Sequence, residues 1–234
     1  LPFIAYVKFI NGNRKIFFND AQIKTFIKLI LISILILFLY LFLKNGKLIF
    51  LDFRTIIFNI VSILTGTGYI SGEYDKWGSF PLFYFLILMF IGGCAGSTTC
   101  GIKIFRVQIL YKFVINQLKR FIYPRGIFVI KYENNTVNDK FLASIISFIF
   151  LYIIIFFILT ALLSITGLDF ITSISGAATS ISNVGPGLGS EIGSNGNFSK
   201  IPDISKWILS IGMILGRLEL FTILILFLPS FWRK

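Results

Sequence analysis

The chain has 234 residues, 56% hydrophobic and only 14% charged, with a mean hydropathy of +0.87. Soluble domains carry roughly 45–50% apolar and about 25% charged residues, so this composition predicts an all-α integral membrane protein. The absence of His excludes a Ser-His-Asp triad or a His-bound zinc, and two cysteines, Cys94 and Cys100, exclude a disulfide framework.

Residues 1–24 read as a cytoplasmic loop, and because the chain opens on Leu1 without a charged signal segment, its start reads as the interior of a longer protein. The apolar run 26–43 is long enough to cross a bilayer, with Lys28 near its end and able to snorkel. The next apolar stretch, 51–64, is too short to span; it opens on Asp52, which suits a helix N-terminus, and predicts a re-entrant pore helix. It ends in a candidate filter, Thr65-Gly66-Thr67-Gly68-Tyr69 (65–69). A second helix over 79–120 is broken at 92–101 by GGCAGSTTCG, and 121–140 reads as a cytoplasmic connector.

The order then repeats. A full span is predicted over 141–165, a short Ser-, Thr- and Ala-rich pore helix over 169–181, and a filter over 182–187 inside SNVGPGLG. A last span, 207–228, leads to a cytoplasmic tail, 229–234, with an interfacial stop of Pro229, Phe231, Trp232, Arg233 and Lys234. The chain is therefore two tandem pore repeats, 25–120 and 141–228, offset by roughly 115 residues.

The net charge of +12 follows this topology. Segments 1–24, 102–140 and 229–234 hold fourteen of the 22 basic residues, among them Lys8, Arg14, Lys15, Lys24, Lys112 and Lys140. The opposite loops hold Lys44, Lys47, Lys76, Lys200 and Lys206, with most of the acids. Positive charge on the cytoplasmic side sets orientation, so no nucleic-acid partner is implied.

A half-helix entering the bilayer points its partially negative C-terminus at the midplane, which favours a cation. The turn that follows can present successive carbonyl oxygens in place of an ion's water shell, and Gly permits the dihedrals required. Thr65, Thr67 and Ser182 add hydroxyls, and no charged side chain lies in 65–69 or 182–189. This predicts carbonyl coordination of a monovalent cation; the alternative is that both turns are ordinary loops.

These residues resemble the Trk/Ktr/HKT superfamily of potassium transporters, most closely its TrkH branch. The matching stretches are FNDAQIKTF (18–26), TGTGY (65–69), GGCAGSTTCGIKIFRV (92–107), SNVGPGLG (182–189) and GMILGRLELF (212–221). The resemblance implies four repeats around one pore, of which this chain would be the third and fourth, the C-terminal half. It assigns Thr65, Gly66, Thr67 and Gly68 to one filter segment and Asn183, Val184 and Gly185 to the next, with potassium as the ion and no organic cofactor. It further implies a homodimer in the bacterial inner membrane, with a cytosolic nucleotide-binding regulatory subunit under 102–140.

The loop holding Gly92, Gly93, Gly96, Ser97, Thr98 and Gly101 is no Walker motif, since no Lys-Ser/Thr follows at the required spacing. It reads either as a structural kink or, by resemblance, as a gate below the filter. Arg217 lies near the bilayer centre, where an unpaired charge costs roughly 2.5–3.5 kcal/mol, so it is expected to reach the loop carbonyls. A purely structural bridge is its other reading, and Glu219 is not placed to make a simple i,i+4 pair with it. Cys94 and Cys100 read as loop fillers, and the sequons at Asn134 and Asn197 as chance matches. The alternative function is a tandem-pore potassium channel subunit, which calls for two TVGYG-like filters that are not present. A membrane enzyme lacks paired acids beside a span, and a purely structural subunit would not need two filter-like turns.

Overall fold

The computed structural model describes residues 1–12, 17, 20–46, 50–132 and 135–233, with only the backbone at 50 and 51. Arg14, Lys15, Lys47, Asn134 and Lys234, and Phe18 and Asn19 of the first family stretch, lie outside the described residues. Apart from one antiparallel pair of two-residue strands, β1 (Lys131–Tyr132) and β2 (Asn135–Thr136), the described elements are helical.

After a short helix α1 (Phe3–Ile10) comes α2 (Ala21–Asn45), whose 25 residues reach about 38 Å at 1.5 Å per residue. The Asp20 carboxylate caps α2 by accepting from the amides of Gln22 (2.8 Å) and Ile23 (3.1 Å), and Gly46 ends it in a left-handed turn. The short helix α3 (Phe50–Thr65) follows, then a 3-10 turn (Tyr74–Trp77), α4 (Ser79–Phe90) and α5 (Ile104–Ile122). The second repeat runs through α6 (Asp139–Ile165), α7 (Phe170–Ser182), α8 (Asp203–Arg217), α9 (Leu220–Leu226) and α10 (Pro229–Trp232). Among the described residues, α2 and α6 are each long and apolar enough to cross a membrane. Their exposed Leu31, Leu35, Leu43, Phe150 and Phe157 form the kind of surface that lipid covers.

One boundary differs from the sequence reading. The run 207–228 is not a single helix: α8 and α9 meet at 107°. The break falls at Glu219, which takes a left-handed φ of 61° although neither Gly nor Pro is present there. Its carboxylate pairs with Lys103 (3.4 Å) and Arg106 (3.9 Å) across the repeats. These pairs lie at a turn that the local apolar pattern does not foretell.

Of the three apolar clusters among the described residues, two join the helices of the repeats. Ile23, Leu37, Ile56, Ile60, Phe85 and Met89 join α2, α3 and α4, and Val184 and Leu188 of the second repeat enter the same cluster. Phe148, Leu159, Leu163, Ala177, Ile181 and Leu209 join α6, α7 and α8. Small residues bring α8 close to α7: a Cβ at Gly216 would lie 1.9 Å from the Ile181 carbonyl oxygen, and one at Gly212 2.7 Å from Ser180 Oγ. A Gly-xxx-Gly face lets two membrane helices meet at backbone distance.

Candidate functional site

Both short helices end in the same way. The amides after α3 turn back onto it: Gly66 N donates to Ile63 O (3.1 Å), and Thr67 N and Gly68 N to Ser62 O (3.0 and 3.4 Å). The positions 117 residues later repeat this: Asn183 N donates to Ser180 O (3.2 Å), Val184 N to Thr179 O (3.1 Å) and Gly185 N to Thr179 Oγ1 (2.9 Å). Among the described residues, the carbonyls of these six residues accept no hydrogen bond.

The dihedrals explain the division. Gly66 and Gly68 have φ of 67° and 74°, and Asn183 and Gly185 of 51° and 115°, with a residue of ordinary φ between each pair. Alternating hands gathers successive N–H groups on one side, which leaves the C=O groups to the other. Asn183 replaces Gly at the first left-handed position, a conformation Asn tolerates; its side-chain amide donates to Met213 O at 2.9 Å. The two turns also touch. A Cβ at Gly68 would fall 2.2 Å from the Val184 carbonyl oxygen, and one at Gly185 3.6 Å from Gly68 Cα.

The hydroxyls behave differently from one another. Thr65 Oγ1 donates to Val61 O (2.6 Å) and Thr67 Oγ1 to Ser62 O (3.2 Å), each bonding back to its own helix. Ser182 is buried and pairs with the Tyr152 hydroxyl at 2.7 Å, so it belongs to the packing behind the turn rather than to its open face.

The loop 92–101 is folded tightly on itself. Gly92 N donates to Ile102 O (3.0 Å) and Ile102 N to Phe90 O (2.9 Å), which brings the ends of α4 and α5 together. A Cβ at Gly92 would lie 2.1 Å from Cys100 O and one at Gly93 2.3 Å from Thr99 Oγ1. Ser97 Oγ donates to Cys94 O (2.6 Å), Gly96 O accepts from Phe3 N (3.0 Å), and Gly101 closes the loop at φ 80°. The loop lies under the first turn, since a Cβ at Gly66 would be 3.5 Å from Thr99 Cγ2.

Arg217, the last residue of α8, extends Nη1 to Thr98 O at 2.7 Å and to Cys100 Sγ at 3.7 Å. A cavity of about 190 Å³ opens beside this contact, lined by Thr98, Cys100, Lys103, Arg106, Arg217 and Glu219. Arg106 also lies over the Phe148 ring, 3.7 Å from its centroid.

A family model described as TrkH, cation transport protein, matches residues 16–234. The chain belongs to the TrkH family. The Trk system potassium uptake protein TrkI of Halomonas elongata is 42% identical over all of this chain and 47% of its own length. TrkH of Escherichia coli K12 is 32% identical over 94% of this chain and 45% of its own. The crystal structure of the potassium transporter TrkH from Vibrio parahaemolyticus superposes with a TM-score of 0.91 at 32% identity, covering 100% of this chain and 50% of that one. This chain thus spans about half the length of the curated relatives it matches. The match favours a TrkH-family transporter over the tandem-pore channel subunit.

Within this TrkH-family chain, sequence reading did not single out Glu219, Tyr74 or Asp75 as partners of the site. Glu219 was legible as an acid inside an apolar run, but its partners lie 113 and 116 residues upstream. Tyr74 and Asp75 carried no local signal, because what they hold is in the other repeat.

Proposed function

We propose that this chain supplies the third and fourth repeats of a potassium uptake pore in the bacterial inner membrane. Potassium passes by a channel-like mechanism, and the carbonyls of Thr65, Gly66, Thr67 and Gly68 and of Asn183, Val184 and Gly185 replace its hydration shell. One observation carries this reading: in both turns the amides bond inward, and six carbonyls on two touching loops are left without a protein donor. A bare backbone carbonyl needs water or a cation, and the preceding half-helix dipole favours the cation. The names of the relatives, potassium uptake proteins of Trk systems, support potassium as the ion.

The loop 92–101 with Arg217 acts as the gate below the filter. The guanidinium holds the Thr98 carbonyl and places a positive charge beside the ion's route, which opposes cation passage until the contact breaks. The first two repeats come from the rest of the protein, two pores pair as a homodimer, and a cytosolic nucleotide-binding subunit docks under 102–140. The chain catalyses no reaction.

Rubidium uptake by the full-length protein in liposomes tests both parts. Gly68→Ser is expected to abolish potassium preference, and Arg217→Gln to raise flux in the closed condition while preference is kept. Wild-type preference in Gly68→Ser would overturn the filter, and unchanged flux in Arg217→Gln would remove Arg217 from the gate.

A further inference from the structure

The two filter turns are anchored differently on the side away from their pore helices. After the first, Ser62 Oγ donates to Tyr69 O (2.6 Å) and Asn59 Oδ1 accepts from Ser71 N (3.1 Å), so both anchors come from the same repeat. After the second, Ser175 Oγ of its own helix accepts from Leu188 N (2.9 Å) and Gly187 N donates to Ile192 O (2.8 Å), while a further set of anchors crosses the molecule. The buried Tyr74 donates its hydroxyl to Gly187 O at 3.2 Å. Asp75 accepts from Gly189 N (3.4 Å) through one oxygen and from Ser194 N (2.5 Å) through the other. Glu73 accepts from the Asn195 side-chain amide.

We propose that Tyr74 and Asp75, in the first repeat, are positioning residues that set ion selectivity at the filter of the second. The inference rests on 183–185 being a filter. Gly187 stands two residues beyond Gly185 with only Pro186 between them, and proline's fixed φ passes a displacement at Gly187 on to the Gly185 carbonyl. The approach is close on the receiving side too, since a Cβ at Gly193 would lie 2.4 Å from Asp75 Oδ2. Burial, with the Asp75 charge beside it, pushes the Tyr74 hydroxyl well above the usual phenol range, so it remains a donor. Its ring packs on Phe85 with centroids 4.8 Å apart and would stay there without the oxygen.

The test is the ratio of potassium to sodium uptake per folded full-length protein in liposomes, for Tyr74→Phe, Asp75→Ala and Asp75→Asn, with Gly185→Ser as reference. Tyr74→Phe is expected to lower the ratio about fivefold, the equivalent of one modest hydrogen bond. Asp75→Ala should lower it further, and Asp75→Asn, which keeps one acceptor, should fall between wild type and Asp75→Ala. A purely structural turn would reduce the yield of folded protein without moving the ratio. If Tyr74→Phe retains the wild-type ratio while Gly185→Ser loses it, the positioning role is overturned and the filter stands. If Gly185→Ser also retains it, the filter reading falls and takes this inference with it.

Discussion

The short helices α3 and α7 end in congruent turns but sit in different surroundings. Every residue of α7 from Ser175 to Ser182 is buried, enclosed by α4, α6 and α8. In α3 one side packs on α2 and α4 through Ile56, Ile60 and Ile63, while Phe53 and Phe58 remain exposed beside an apolar hollow of about 520 Å³. Composition follows surroundings: α7 is built of Ser, Thr, Gly and Ala, which permit approach on all sides, and α3 of Phe and Ile. The second repeat is closed within this chain, whereas the first keeps a flank that the proposed four-repeat pore would cover.

The largest effect should come from the closed repeat. Gly216→Ala sets a methyl group 1.9 Å from the Ile181 backbone oxygen, and backbone cannot move aside as a side chain can. Overpacking costs typically 1–3 kcal/mol or more, so little folded full-length protein should survive purification in detergent. At Gly72, next to the first turn, the same methyl would meet the Thr55 methyl at 2.6 Å rather than backbone, and a smaller loss of yield is expected. Equal losses would erase the contrast.

Next in size is the difference between the paired glycines of the turns. Gly68→Ala combines a left-handed φ of 74° with a methyl 2.2 Å from Val184 O. Gly185→Ala bears only the cost of its φ of 115°, on the order of 1–3 kcal/mol for a side-chain-bearing residue in a sparsely populated region, since its nearest neighbour would be 3.6 Å away. Potassium uptake per folded protein should therefore fall further in the first than in the second. A reversed order would show that the turns do not touch in the membrane.

The two flanks supply a smaller test. Ala178→Leu in enclosed α7 should cost about 1–3 kcal/mol, visible as a lower Tm of the full-length protein. Phe58→Leu on α3 should leave Tm unchanged if lipid covers that flank, and lower it if another repeat does.

The long helices were legible because continuous apolar runs over 26–43 and 141–165 admit little else; they lie inside α2 and α6. The short helices were legible from where they stop, since Gly66 and Gly68, or Asn183 and Gly185, take dihedrals a helix cannot continue. The reach of Arg217 to the loop followed from the cost of leaving a charge unpaired in an apolar run. Where sequence reading failed, the cause lay far along the chain. Nothing local marks Leu218-Glu219 as a 107° bend, and the cations that Glu219 meets there, Lys103 and Arg106, are far along the chain. Nor does a serine beside a Gly-rich turn reveal whether it faces an ion or, as Ser182 does, the hydroxyl of Tyr152.

The smallest effect concerns the exposed tie between the repeats. The Lys76 ammonium, donating to Glu73, holds that carboxyl below its usual range, with the Asn195 amide adding to the shift. A carboxyl whose folded value is depressed stabilises above its unfolded pKa, and the contribution is lost as pH falls through the lower, folded value. Acidification through and below the ordinary glutamate range should therefore loosen the tie. Tm of the wild type should drop slightly more between pH 6 and about pH 3.5 than Tm of Glu73→Gln, which has no such proton to take up. Parallel pH profiles would mean that the outer tie adds nothing to the hold that Tyr74 and Asp75 keep on the second turn.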